Sequence, residues 1–349
     1  MTTIEMEDSI RQLCEDAVDF WQPLQCVQRV DARELTALEF HRRFVSKNVP
    51  VILTHAMTSP EWQHVLQSWT DDEHLIARAG ETTNVTVDIT PFGFGDAVLE
   101  LDDGRALFVM PEEREMPLRR FFEQLRDPTF DGVPYLSHQN DSLRDEFPEL
   151  YREVPPCLDL AREAFGNDPD AVNIWIGDER AVSTMHKDHY ENMYCVVKGR
   201  KHFTLLPPAA VACLYETEYA SARYCHASTV SSSTVSSEDE AATASLHRQH
   251  PSLSAWRIVP SEDTGMTPWI PVDPLRIDTT RFPRAAHLRP LECVVETGEV
   301  LYLPAMWYHR ATQLCETISV NYWHDMEFDC RYVYYNFVHS VTKRSTTAT

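Results

Sequence analysis

AVNIWIGDERAVSTMHKDHYENMYCVVKGRKHFTLLPP, residues Ala171–Pro208, sets three short apolar runs around His186-Lys187-Asp188. Asn173–Ile176, Met193–Val197 and His202–Leu206 are predicted strands, with a Lys198-Gly199 turn between the last two and Pro207-Pro208 as the stop. In a strand, residues i and i+2 point to the same side. An extended His186–Asp188 therefore turns an imidazole and a carboxylate to one point, while Lys187 faces away. The triplet alone is common by chance and recurs at His189-x-Glu191, whose odd offset from His186 puts it on the opposite face of a regular strand. A metal site needs a third ligand from elsewhere.

Gly298–His309, GEVLYLPAMWYH, supplies one. His309 ends the strand pattern Val300–Leu303 after Pro304, and the spacing resembles the second cupin motif, with Met306 where that motif has glycine. Alone, His309 reads as a hydrogen-bonded core histidine. With His186 and Asp188 it completes two histidines and one carboxylate, the ligand set of non-haem Fe(II) oxygenases.

The rest of the chain is organised around these strands. Helices are expected over 4–20 (Ile4, Ile10, Leu13, Ala17, Phe20 at helical spacing), Arg33–Val45 (Leu35, Leu38, Phe40 and Phe44 buried), Trp62–Trp69, Pro117–Leu125 and Asp325–Val341. The last carries a Phe328-Tyr332-Tyr335-Val338 stripe, and Thr342–Thr349 should fray. Val49–Leu53 reads as a strand with Pro50 at its edge or start, and further strands are expected at Val85–Ile89, Ala106–Met110, Gly132–Leu136, Leu291–Val295 and Thr317–Trp323. Tyr215–Tyr224 reads as irregular, and the Ser-rich, acidic stretch 226–254 as a mobile insertion. Many short strands with helices toward the ends predict a mainly β fold, a double-stranded β-helix or jelly roll with N-terminal α/β elements and C-terminal helices. The expected division is 1–130 as packed N-terminal elements, 131–325 as the catalytic domain and 326–349 as C-terminal helix and tail.

Composition excludes several classes. A net charge of −23, from 31 basic and 54 acidic residues, with no long basic run, argues against direct nucleic-acid binding. It suits a basic protein partner as steering, or serves only to keep the protein in solution. The nine scattered cysteines contain no C-x-x-C pair, which argues against a disulfide scaffold and a thiolate zinc site and for a reducing compartment, cytoplasm or nucleus. No apolar run spans a bilayer, and no G-x-G-x-x-G, Walker or G-x-S-x-G motif is present.

His186-x-Asp188…Lys201…His309…Asn321 resembles the JmjC (cupin-like) 2-oxoglutarate oxygenases, through HKDHYENMYCVVKGRKHF, PWIPVDP, GEVLYLPAMWYH and ISVNYWHDMEFD. The likeness runs from about Ala171 to Phe337 and more weakly upstream. It implies that His186, Asp188 and His309 hold Fe(II) and that Lys201 pairs with the 5-carboxylate of 2-oxoglutarate. It further implies that Tyr135 adds a hydrogen bond there, that Ser183 stands where the family often has threonine, and that Asn192 and Asn321 line the cosubstrate's other end. The implied activity consumes 2-oxoglutarate and O2, releases succinate and CO2, and hydroxylates a protein substrate. By resemblance, the target is a lysyl residue at C3 in a GTP-binding protein of the developmentally regulated class. Metal-dependent endopeptidase cleavage of basic tails, or a catalytically silent cupin-like scaffold, are the alternatives. Homodimerisation through the C-terminal helix recurs in such proteins, and simple packing of that stripe on the barrel is the other reading.

Overall fold

The structure, a computed structural model, describes residues 3–21, 26–229, 237–261 and 265–346. The central runs form strands longer than expected, Ala171–Gly177, Tyr190–Lys198 and Arg200–Leu206. The last two are joined at Gly199, where φ is +82° and a Cβ would stand 2.4 Å from the Glu316 carbonyl oxygen. Only glycine meets both demands.

Two sheets face each other. One has the order Gln28–Asp31, Val51–Thr54, Val300–Leu303, Tyr190–Lys198, Thr317–Asp325, Ala171–Gly177. The other runs Leu291–Glu296, Arg200–Leu206, Tyr308–Gln313, Val182–His186, Phe94–Gly95. Sequence neighbours alternate between the sheets, which is the jelly-roll arrangement. Tyr194, Val196, Leu301, Leu303, Phe203 and Leu205 fill the space between them. The opposite face of the first sheet, with Met193, Cys195, Ile174, Tyr302 and Val320, is buried under helices carrying Phe40, Phe44, Trp62 and Trp69. Burial on both faces explains why these strands read as near-continuous apolar runs. A third cluster, from Ile10 and Cys14 to Tyr308 and Tyr335, packs the N- and C-terminal helices on the barrel.

Helix Pro60–Ser68 starts where Ser59 accepts from the Trp62 N–H and Pro60 occupies the first turn. A second helix, Asp72–Ala79, follows it. Arg33–Val45 is not one helix. Thr36 and Glu39 form a capping box that starts a new turn at Ala37, and His41–Val45 continues with wider π-type bonding. Leu38 consequently faces solvent, while Leu35, Phe40 and Phe44 are buried. In helix Thr3–Trp21, Ile10, Cys14 and Ala17 form the buried face, leaving Ile4 and Phe20 exposed. Val51–Thr54 lies inside its sheet, and Pro50 precedes its first paired residue.

Two other expectations are corrected. Tyr215–Tyr224 is largely the strand Thr217–His226, paired with Ala106–Met110, Trp256–Pro260 and Met266–Trp269. Its sequence lacks clean alternation, and the three partners supply the order. Within the Ser-rich stretch, 230–236 lies outside the described residues, but Ser237–Gln249 is a helix rather than a mobile loop. Ala242, Ser245 and Leu246, at helical spacing, are buried against the Trp256–Pro260 strand. Arg248 pairs with Asp102 at 2.5 Å, and the Ser245 hydroxyl accepts from the Asp102 N–H at 2.9 Å. A narrow apolar face suffices once a neighbouring sheet covers it.

The C-terminal helix is Cys330–Thr346, with Tyr335 buried and hydrogen-bonded to Tyr308 at 2.7 Å. It is helical through most of the tail expected to fray, and 347–349 lies outside the described residues. Phe328 precedes the helix and is exposed.

Candidate metal centre and cosubstrate pocket

His186 is the last residue of strand Val182–His186 and pairs across the ladder with His309 of strand Tyr308–Gln313. Asp188 stands in the turn that follows, not within the strand. His309 likewise does not end the Val300–Leu303 strand; it is the second residue of the next one, after a turn at Pro304–Trp307. That turn contains Met306 at φ +68°, left-handed backbone at the position where the cupin motif has glycine. The Met306 N–H donates to the Asp188 carbonyl at 2.9 Å, tying the two halves of the site together. Lys187 points away, donating to Glu216 at 2.9 Å over the rings of Tyr308 and Tyr335.

The three side chains converge. Asp188 Oδ2 lies 3.5 Å from His309 Nε2 and 4.0 Å from His186 Nε2, and the two imidazole centroids are 4.2 Å apart. His186 Nδ1 donates to the Thr184 carbonyl at 2.7 Å, and His309 Nδ1 to the Trp307 carbonyl at 3.1 Å. Both contacts reserve Nε2 as a lone-pair donor aimed at the shared point. Burial, reinforced by the neighbouring His186, pushes His309 down to about 4, which keeps its imidazole neutral. Two imidazoles and a carboxylate within ligand-to-ligand reach fit a divalent metal. Trp269 stacks near-parallel on His186, centroids 5.9 Å apart.

A second group, His64, His74 and Glu153, also comes together. There Glu153 Oε2 already accepts from Trp69 Nε1 and lies 2.9 Å from His74 Nε2, and Oε1 faces Arg78 at 2.6 Å. Its carboxylate is satisfied by protein donors. His189 and Glu191 take no part in the centre. Glu191 is buried on the other side, accepting from the Tyr302 hydroxyl at 2.7 Å and the Ala305 N–H at 3.1 Å.

Deeper in the barrel, Lys201 is 2% exposed. Its ammonium donates to the hydroxyls of Tyr194 at 2.6 Å and Tyr135 at 3.0 Å and is ringed by aromatic faces, Trp175 among them. Among the described residues no carboxylate pairs with it, and burial pushes it down to about 7. Such a cation lacks a counter-ion and is matched by an anionic ligand. Ser183 and Gln313 reach the Tyr135 hydroxyl. A Cβ on Gly177 would meet the Tyr135 ring at 2.6 Å, so this glycine makes room for that tyrosine.

Asn321 accepts from Trp175 Nε1 at 2.9 Å and donates to the Asn192 side-chain oxygen at 3.3 Å. The two amides thus form one network with the tryptophan beside Lys201. Tyr194, Gln313 and Trp269 were missed from sequence. For Tyr194 a signal existed: it shares the inward parity of Asn192 along one strand. Gln313 emerges only from its pairing with Lys201 across the ladder.

A cleft of about 410 Å³ opens over His186 and Asp188. Asp88, Asp96 and Glu113 line its wall, and among the described residues Lys187 is the one Lys or Arg that borders it. Burial pushes Asp88 up to about 7 and raises Asp96. Carboxyl groups thus line the cleft, and the Lys201 ammonium lies in the barrel beside Tyr135, which lines the cleft too.

Residues 37–330 match the model of the cupin-like domain. The chain is 36% identical to human "Bifunctional peptidase and (3S)-lysyl hydroxylase JMJD7", over 89% of this chain and 88% of that protein. It is 33% identical to "JmjC domain-containing protein E" of Dictyostelium discoideum (97% and 95%). It is also 33% identical to "Lysine-specific demethylase JMJ32" of Arabidopsis thaliana (92% and 88%). The chain belongs to the cupin-like JmjC family of oxygenases, whose cofactors are Fe(II), 2-oxoglutarate and O2.

Proposed function

We infer that the protein hydroxylates a lysyl residue of a protein substrate, at C3. The observation that carries an oxygenase reading is the buried, acid-free Lys201 in the same barrel as His186, Asp188 and His309. When bound, Fe(II) couples oxidative decarboxylation of 2-oxoglutarate to insertion of oxygen into a C–H bond. His186, Asp188 and His309 would hold the metal and leave its remaining positions free. Lys201, with the Tyr135 and Tyr194 hydroxyls, would orient the cosubstrate through its distal carboxylate, a charge-assisted contact in a dry setting. The apolar packing around Tyr194, Phe203 and Leu205 excludes water from that end.

The lysyl target is supported by the name of the human relative and by the acidic lining of the cleft, Asp88, Asp96 and Glu113, which suits a cationic side chain. A GTP-binding protein of the developmentally regulated class is the substrate this reading favours. The Arabidopsis relative's name supports a second reading, N-methyl-lysine demethylation, which differs only in the C–H bond presented. The human relative's name also keeps peptidase cleavage of basic tails as a third. Helix Cys330–Thr346 leaves Val333, Tyr334 and Phe337 exposed, which supports pairing of two copies through it.

The test is succinate release from 2-oxoglutarate with Fe(II) and a lysine-bearing peptide, followed by mass spectrometry. One added oxygen on lysine supports the proposal. Loss of a methyl group from methyl-lysine favours demethylation, and cleavage without 2-oxoglutarate favours the peptidase. Undiminished turnover by His186→Ala defeats the oxygenase reading.

A further inference from the structure

Two cysteines far apart in sequence meet beneath the N-terminal helix. Cys14, on the buried face of helix Thr3–Trp21, has its sulfur 3.2 Å from that of Cys213, the last residue of the turn Pro208–Cys213. Both are free thiols. Among the described residues this is the one pair of cysteine sulfurs in contact. A disulfide needs about 2.05 Å between sulfurs, so closing the bond asks for a shift of only about 1 Å within one packed cluster.

The two thiols differ in access. Cys14 is 8% exposed and lies on the wall of a surface groove of about 500 Å³ that also carries Arg11 and Arg289. Cys213 is sealed, at 0% exposure. The Cys213 sulfhydryl facing it, helped by the Arg289 charge, holds the Cys14 thiol below its ordinary range despite burial. The same contact, together with burial, raises Cys213. Only Cys14 opens to the groove, so a small disulfide reaches Cys14 first, and Cys213, sealed behind it, is the resolving residue.

We propose that Cys14 and Cys213 are a redox modification site, oxidised by a low-molecular-weight disulfide to an intramolecular bond that clamps the N-terminal helix to the barrel. The Cys14 thiolate attacks one sulfur of the small disulfide, forms a mixed disulfide and expels one thiolate. Cys213 then loses its proton and attacks the Cys14 sulfur, expelling the second thiolate. Two protein thiols are oxidised, one small disulfide is reduced to two thiols, and the two protons lost by the protein go to those thiols. Without the bond, the helix is held by apolar packing of Ile10, Cys14 and Ala17 and by the Glu7–Arg284 pair at 2.6 Å. With it, the helix cannot detach from the segment that follows strand Arg200–Leu206, which carries Lys201.

The test equilibrates the iron-loaded full chain with oxidised glutathione, blocks remaining thiols by alkylation, and maps peptides without reduction. The expected product is a Cys14–Cys213 linked peptide that thiol reductant removes. Trypsin cleavage after Arg11 should then slow on the order of tenfold relative to the reduced protein, because cleavage follows the population of the detached helix. Cys213→Ala should retain glutathione on Cys14 and show no slowing. Glutathione persisting on Cys14 of the wild type, other cysteine pairs forming as fast, or no thiol exchange at Cys14 at all would each overturn the site. Unchanged cleavage after Arg11 in fully linked protein would overturn the clamp.

Discussion

The backbone N–H of Met306 reaches the backbone carbonyl of Asp188 at 2.9 Å, so the turn that launches His309 is fastened to the turn that carries the carboxylate ligand. Met306 makes this bond with φ +68°, a conformation that costs an ordinary residue about 1–2 kcal/mol. Its side chain is buried in the cluster beneath the terminal helices.

Met306→Gly tests which effect dominates. Relief of strain returns about 1–2 kcal/mol. Loss of the buried side chain removes about 1.5–3 kcal/mol, and the freer glycine backbone costs a further 0.5–1 kcal/mol, roughly. Net destabilisation of roughly 0–3 kcal/mol, centred on about 1.5 kcal/mol, is expected, read as a lower denaturant midpoint. A raised midpoint would show that strain outweighs burial here.

Lys201→Met removes the cation and keeps most of the stem. The KM for 2-oxoglutarate should rise roughly 10- to 100-fold, the value of a hydrogen-bonded charge contact, with little effect on the affinity for metal measured separately. Equal loss of both would mean that Lys201 supports the barrel rather than the cosubstrate.

The same lysine predicts a pH dependence with a definite sign. Burial lowers it to about 7, below its value in an unfolded chain. From about 7 upward to the unfolded value, the unfolded chain holds a proton that the folded protein has shed, so this group's contribution to stability rises with pH across that window. The cost of burying the charge is felt in full below it. Binding a carboxylate requires the ammonium, so 2-oxoglutarate should bind with proton uptake above pH 7 and weaken as pH rises. Calorimetry in buffers of different ionisation enthalpy measures that proton. No uptake at pH 8 would contradict the assignment.

Asp96→Asn and Glu113→Gln should raise the KM for a lysyl peptide several-fold while leaving 2-oxoglutarate KM unchanged, because both line the cleft whereas the Lys201 ammonium is held by Tyr135 and Tyr194. Steady-state assays with a lysyl and an acetyl-lysyl peptide separate charge from shape. If the acetylated peptide is equally impaired, the carboxylates act structurally.

His186 and Asp188 were singled out by two-residue spacing, His309 by the strand and proline before it, and Lys201 by the family resemblance; the structure brings the first three together, with Asp188 beyond the strand end rather than within it. Tyr194 was within reach of the same reasoning, since parity along Tyr190–Lys198 turns it inward with Asn192. Gln313 and Trp269 were not, because each meets the site through cross-strand pairing or a ring contact that no local pattern encodes. The strands of the central sheet were readable because both faces are apolar. The strand Thr217–His226 and helix Ser237–Gln249 were not, since their order comes from the neighbours they pack on. Leu38 was misplaced for a related reason: the capping box at Thr36 resets the helix face.

The sheet that carries Asn192, Tyr194 and Asn321 is covered on both sides, whereas His186 closes a strand and Asp188 sits in the turn beyond it. Amide protons in the covered strands should exchange with solvent only when the whole molecule opens, while those around His186 and Asp188 exchange through local fraying. The metal and the cosubstrate cradle then have separate lifetimes. Removing the metal should therefore leave the covered strands that carry the cosubstrate cradle folded.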